Sequence, residues 1–212
     1  AALCAGLASE FERSGGKILQ HSVERIVPEG PGRYTLVTNT KAVRCARVVV
    51  AAGAWSGHLL SPLGIHLPLE AERGYHAILP DHNLRLELPI GFKDRGFSVT
   101  PMASGLRVAG TVEFSGLNAP PDMERARRLV QHAAALFPGI KHGEPELWSG
   151  YRPSTPDSLP VIGPANDAGD LLLAFGHSHF GITGAPGTAR IISELLHHKR
   201  EAGQAAFSAA RF

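Results

Sequence analysis

Apolar residues first recur at the spacing of a helix. Leu3, Leu7 and Phe11 lie four apart, and Gly15-Gly16 follow as a stop signal. The pattern then turns to that of extended chain. KILQHSVERIV (17–27) reads as a strand, PEGPG (28–32) as a turn cluster, and RYTLVTN (33–39) as a strand with one solvated face. KAVRCA (41–46) is a third short strand, so these three predict an antiparallel meander. Val48 to Ala52 break the alternation. They are apolar on both faces, as in a strand buried in a parallel sheet, and Gly53 ends the run before a short helix from Trp55 to Leu60. LLLAF (171–175) is a neighbour for such a strand; the others are expected upstream of residue 1.

The middle of the chain reads differently. YHAILP, GFSVTPM and LRVAGTVEF, within residues 75–114, predict strands of an antiparallel sheet with its own core. From Asp122 to Phe137 an amphipathic helix is expected, with Asp122 as N-cap and Pro138-Gly139 as the stop. ELWSGY (146–151) is another strand. The fold class expected is thus mixed, α/β with α+β. An incomplete Rossmann-like α/β layer is built from residues 1–70 and 150–212, and an antiparallel-sheet module, 71–149, is inserted into it. Ligands in such proteins tend to lie near the carboxyl ends of the parallel strands.

Composition narrows the function. With 212 residues, 43% of them hydrophobic, a sizeable core can form. A net charge of +2 gives no footprint for nucleic acid or an anionic membrane, and no apolar run is long enough to span a bilayer. Cys4 and Cys45 lack metal or redox spacing and are expected to be buried free thiols in a reducing compartment, hence a cytoplasmic location. There is no signal-peptide pattern, and the chain opens without Met inside a helical period; a piece of a longer protein is expected.

Three segments carry candidate chemistry. AFGHSHFGITG (174–184) places glycines between an apolar strand and a helix. Helix starts offer backbone N–H groups and partial positive charge, and glycine permits close approach, so 176–183 can cradle an anion. A loop that merely turns the corner fits equally, since no G-x-G-x-x-G is present. His177 and His179 as metal ligands lack a third partner of telling spacing. His197-His198-Lys199-Arg200 read as cations at a helix end. In YRPSTPDSLPVIGP (151–164), four prolines predict a stiff extended loop, with Arg152 at its start as either a carboxylate-gripping guanidinium or an ion-pair partner of Asp157. In VVVAAGAWS (48–56), Ala51, Ala52, Gly53 and Ala54 leave room for a ligand or serve close packing.

Taken in order, RVVVAAGAWS, ERGYH, YRPSTPDSLPVIGP and LLLAFGHSHFGITGAPGTARIISELL resemble the FAD-dependent oxidoreductases of the D-amino acid oxidase superfamily. The subset with glycine oxidase, sarcosine oxidase and the small subunit of D-amino acid dehydrogenase fits best. The resemblance implies FAD as cofactor and oxidative deamination of an amino acid or secondary amine by hydride transfer to flavin. It assigns cofactor contacts to Val23, Ala52, Gly53, Ala54, Gly74, Gly176, His177, His179, Gly181, Ile182 and Thr183. It assigns substrate contacts to Arg152, Tyr75, His76 and His177, and it requires no acid–base catalyst and no metal. Oxygen or a quinone would accept the electrons, the protein would be cytoplasmic or peripheral to the inner membrane, and an oligomer is compatible. The family's N-terminal G-x-G-x-x-G unit is not among these residues, so weak FAD binding by the chain alone is expected. No cysteine lies where a covalent flavin link would need one. A module that binds a small carboxylate or a partner chain without redox chemistry is the alternative.

Overall fold

Helix α1 (Ala2–Arg13) ends as its glycines dictate. Gly15 takes φ +90°. Its N–H reaches Glu12 C=O at 3.0 Å and that of Gly16 reaches Phe11 C=O at 2.9 Å, a Schellman closure. The apolar stripe that builds the helix is not covered: Leu3, Leu7 and Phe11 are 61%, 62% and 53% exposed. The computed structural model describes residues 2–197 and 202–212; His198, Lys199 and Arg200 lie outside them. The chain forms two compact units, Ala1–Val48 and Val49–Phe212.

In the first unit, β1 (Val23–Gly30), β2 (Arg33–Thr38) and β3 (Ala42–Cys45) form the expected meander. The turn cluster is shorter than its composition suggests, because Pro28 and Gly30 stay in β1 opposite Tyr34 and Arg33. Pro28 is tolerated because β1 is an edge strand. The thiols differ from expectation: Cys4 is exposed and Cys45 only half-buried, and both are free. Burial pushes the Cys45 thiol pKa up.

The second unit begins within β4 (Val48–Val50), which leads through a short turn at Gly53–Trp55 into α2 (Ser56–Leu60). Val50 is buried but Val49 is 40% exposed, so β4 is covered on one face rather than two. Next come β5 (Glu70–Leu79), β6 (Ile90–Phe92), β7 (Phe97–Met102), β8 (Gly105–Phe114), α3 (Glu124–Leu136), β9 (Glu146–Ser154), β10 (Val161–Pro164), β11 (Leu171–Phe175) and α4 (Gly181–Leu196). A three-stranded sheet has the order β10-β11-β4, and a five-stranded antiparallel sheet the order β6-β7-β8-β5-β9.

One face of the large sheet forms the core. Tyr75, Leu79, Phe97, Val99, Leu106 and Val108 pack on Ala126, Leu129 and Ala133 of α3. Each fully buried Val, Leu or Phe contributes about 1.5–3 kcal/mol. The Asp122 carboxylate accepts from Glu124 N–H at 3.1 Å, capping α3 from just before its first turn. Arg73 is fully buried beside this core. It donates to Glu113 at 3.0 Å, to the carbonyls of Pro120 (2.8 Å) and Ala119 (2.5 Å), and to the Tyr151 hydroxyl (2.7 Å), so the loop after β8 is folded around its charge.

The proline-rich 151–164 segment is not one stiff loop. β9 continues through Pro153 to Ser154 and β10 resumes at Val161. As β9 is an edge strand, Pro153 costs the sheet little.

Candidate functional site

The sheet face opposite α3 gathers the polar groups. Period-2 alternation along β5 turns Glu72, Gly74 and His76 to this face and Arg73, Tyr75 and Ala77 to the other. Register then sets Arg152 of β9 opposite Glu72, Gly150 opposite Gly74 and Trp148 opposite His76. On the other flank, β8 sets Arg107 opposite Ile78.

The glycine pair makes a floor. A β-carbon on Gly74 would collide with the Arg152 guanidinium, and one on Gly150 would collide with the Trp148 indole, so both side chains lie down on bare backbone. The indole stacks on the His76 ring, centroids 4.6 Å apart. The other edge of that ring meets Arg107: His76 Nδ1 accepts from Nη2 at 3.5 Å, a long contact. Burial, and then the Arg107 charge, push the His76 pKa down to about 4, so the ring is neutral at neutral pH. Burial, then the Arg152 charge, lower Arg107.

Arg152 is therefore a strand residue, not the first residue of a loop. Asp157 is not its partner: that carboxylate pairs with Arg211 at 2.6 Å. Arg152 Nη1 is buried without a hydrogen bond. An orphaned buried donor is costly.

The glycine-rich turn comes to the same end of the sheet. After β11, Gly176 takes φ +83°, and a β-carbon there would lie 3.2 Å from Thr155 Cγ2 and 3.4 Å from Val161 N, so the turn requires glycine. Ser154 Oγ donates to Ser178 Oγ at 3.0 Å, and His179 Nε2 lies 4.0 Å from Glu72 Oε2. The start of α4 thus meets the ends of β5 and β9. No side chain caps that start, and Phe180 and Ile182 are 66% and 75% exposed there. Bare first-turn N–H groups, glycine at 181 and open surface suit the electron-rich edge of a flavin.

The two histidines of the turn diverge. The Thr188 hydroxyl donates to Gly184 C=O at 3.0 Å, so His177 Nε2 donates to Thr188 Oγ1 at 2.7 Å. Burial lowers the His177 pKa, which leaves this ring neutral too. Among the described residues no three His, Cys, Asp or Glu side chains converge as a metal site.

The other sequence-derived candidates are spread out. Gly53 has φ +56° with open space beside it, and Ala54 is buried. Ala52 precedes their turn, and Trp55 packs edge-on against Tyr151, centroids 5.5 Å apart. Val23 opens β1 in the first unit, 38% exposed. Tyr75 is a correction: 1% exposed, it donates to Glu113 at 2.5 Å inside the α3 core and faces away from Gly74 and His76. Arg107, Trp148 and Gly150 were not legible as site residues, because only the strand register brings them to His76 and Gly74.

A mixed fold with two arginines over one sheet face and an uncapped helix start beside it is compatible with a flavoenzyme scaffold, and the comparisons with known proteins give the family. Residues 1–195 match the DAO model, FAD dependent oxidoreductase, and the chain belongs to that family. It is 38% identical to a D-amino-acid oxidase of Bradyrhizobium diazoefficiens over 100% of this chain and 51% of that protein. It is 34% identical to a D-amino acid dehydrogenase of Rhizobium johnstonii over 90% of this chain and 46% of that one. Among solved structures, glycine oxidase from Geobacillus kaustophilus superposes with a TM-score of 0.85 at 26% identity, covering 99% of this chain and 57% of that one. The chain spans about half the length of these curated relatives. No described helix is long and apolar enough to cross a membrane.

Proposed function

We propose that these residues form the larger part of the substrate side, and one wall of the flavin site, of an enzyme that oxidatively deaminates an amino acid or secondary amine. The observation that carries the reading is the meeting of two features: the unpartnered Arg152 guanidinium on its glycine floor, and the uncapped start of α4 tied to it through Ser154 and Ser178. The flavin, when bound, supplies the two-electron redox chemistry. Arg152 holds the substrate carboxylate and so orients the α-carbon. The N–H groups of Gly181, Ile182 and Thr183, with the positive end of α4, hold the electron-rich edge of the cofactor. His177 braces that turn through Thr188, and His179 lies beside it at the Glu72 edge. Gly74, Gly176 and His76 border the cofactor, and Ala52, Gly53 and Ala54 its diphosphate and ribityl region. Residues 150–212, Arg152 apart, chiefly serve the cofactor, and 71–149 chiefly the substrate. A glycine-rich phosphate unit from outside these residues completes the site. Oxygen or a quinone takes the electrons, and the enzyme works in the cytoplasm or at the inner membrane face.

The test is purification of the protein with the remaining residues that its relatives span. A flavin absorption band that bleaches when a D-amino acid is added anaerobically is the expected result. A colourless protein that takes up no FAD overturns the reading.

A further inference from the structure

We propose that Arg107 is a second anion-gripping residue of this site, and that one substrate carboxylate is shared between the guanidiniums of Arg107 and Arg152. The inference rests on the amino-acid reading of the Arg152 floor.

Both cations reach over the same short stretch of β5. Arg152 lies on Gly74, and Arg107 comes from the opposite flank to His76, two residues further along the same face. They are near enough for the Arg152 charge to weaken Arg107's hold on its proton. Two like charges facing each other over one sheet repel, and an anion between them would relieve that repulsion. The protein does not supply one. Glu72 and Glu146 occupy this face by register, and neither ion-pairs with Arg107 or Arg152 among the described residues. His76 cannot serve, being neutral; its Nδ1 lone pair takes only one long contact from Arg107 and leaves the other donors free. Trp148 stacks on the His76 ring and so fixes the orientation of the ring whose Nδ1 meets Arg107. A carboxylate has two oxygens and about four lone-pair directions, enough for a guanidinium on each side. A clamp of this kind would fix the carboxylate in two directions, where a single arginine leaves rotation about one axis.

The probe is propionate, a carboxylate without an amine to oxidise, titrated into the complete flavin-loaded protein and followed by calorimetry. Arg107→Met and Arg152→Met are each expected to weaken propionate by about 10- to 100-fold, as loss of a charged hydrogen bond does. Arg107→Lys should recover part of the loss. The double variant should lose clearly less than the product of the single losses, because both side chains hold the same group. Succinate should bind no more than a few-fold tighter than propionate.

Three results overturn the proposal: propionate affinity unchanged in Arg107→Met, fully multiplicative losses, or succinate preferred by two orders of magnitude, which would give each arginine its own carboxylate. If Arg107→Met fails to fold, undiminished binding by Arg107→Lys, whose ammonium cannot form the planar fork, counts against the clamp. Loss confined to Arg152→Met removes the clamp and leaves the proposed function standing. A protein that holds flavin while neither arginine affects propionate removes both.

Discussion

The guanidinium of Arg152 rests on the α-carbon of Gly74, in the volume that a β-carbon would take. Neither residue has its role alone: the glycine is needed for the arginine to lie flat, and the arginine is needed for the glycine to matter.

Gly74→Ala therefore separates binding from stability. The colliding atoms are the far end of a flexible side chain, so the fold can yield by swinging Arg152 outward. Urea unfolding should shift by no more than about 1 kcal/mol, while affinity for propionate in the flavin-loaded protein drops about tenfold or more. Equal damage to both would mean that the glycine serves packing alone.

Gly176→Ala should behave in the opposite way. Here φ is +83°, which L side chains rarely adopt, and a β-carbon would crowd Thr155 Cγ2 at 3.2 Å. A loss of about 1–3 kcal/mol is expected from strain of this kind. Thermal melting measures it, and a variant melting like the parent contradicts the geometry.

Arg73→Met should cost about 3–5 kcal/mol, because it strands Glu113 and several carbonyls without their cation. Arg73 is only 1% exposed in its ion pair with Glu113. Chemical denaturation of the variant is the measurement, with proteolysis in the loop after β8 as the local readout.

Acid should weaken the fold through His76. The unfolded ring binds a proton near its ordinary 6.5, whereas the folded one does so only at about 4. Between these values the unfolded chain holds more protons, so stability falls as pH drops through the window, by at most about 1.4 kcal/mol per unit. His76→Gln should flatten that part of a stability–pH curve; an unaltered slope would place its origin elsewhere.

Local pattern made some elements readable and left others hidden. The end of α1, the meander and α3 follow from glycine placement, alternation and a helical stripe, all properties of neighbouring residues. Arg152 stood out in the sequence as a candidate to grip a carboxylate or to pair with Asp157, but its place in a strand did not. Four prolines argue for a loop unless the strand is known to be an edge, and edges are a property of the whole sheet. Val48 to Val50 read as doubly buried because composition reports hydrophobicity, not which neighbours are present. Tyr75 and His76 are adjacent in sequence, and which of them faces the site depends on which side α3 covers. Arg107 could be placed only once cross-strand register was known, since register joins residues more than thirty positions apart.

The bare stripe on α1 bears on how this polypeptide behaves in a tube. Leu3, Leu7 and Phe11 together present a greasy ridge to water, and such ridges find one another. The 212 residues prepared by themselves should cloud with rising concentration, and charged replacements at positions 3 and 7 should keep them clear while leaving the Arg152 floor untouched.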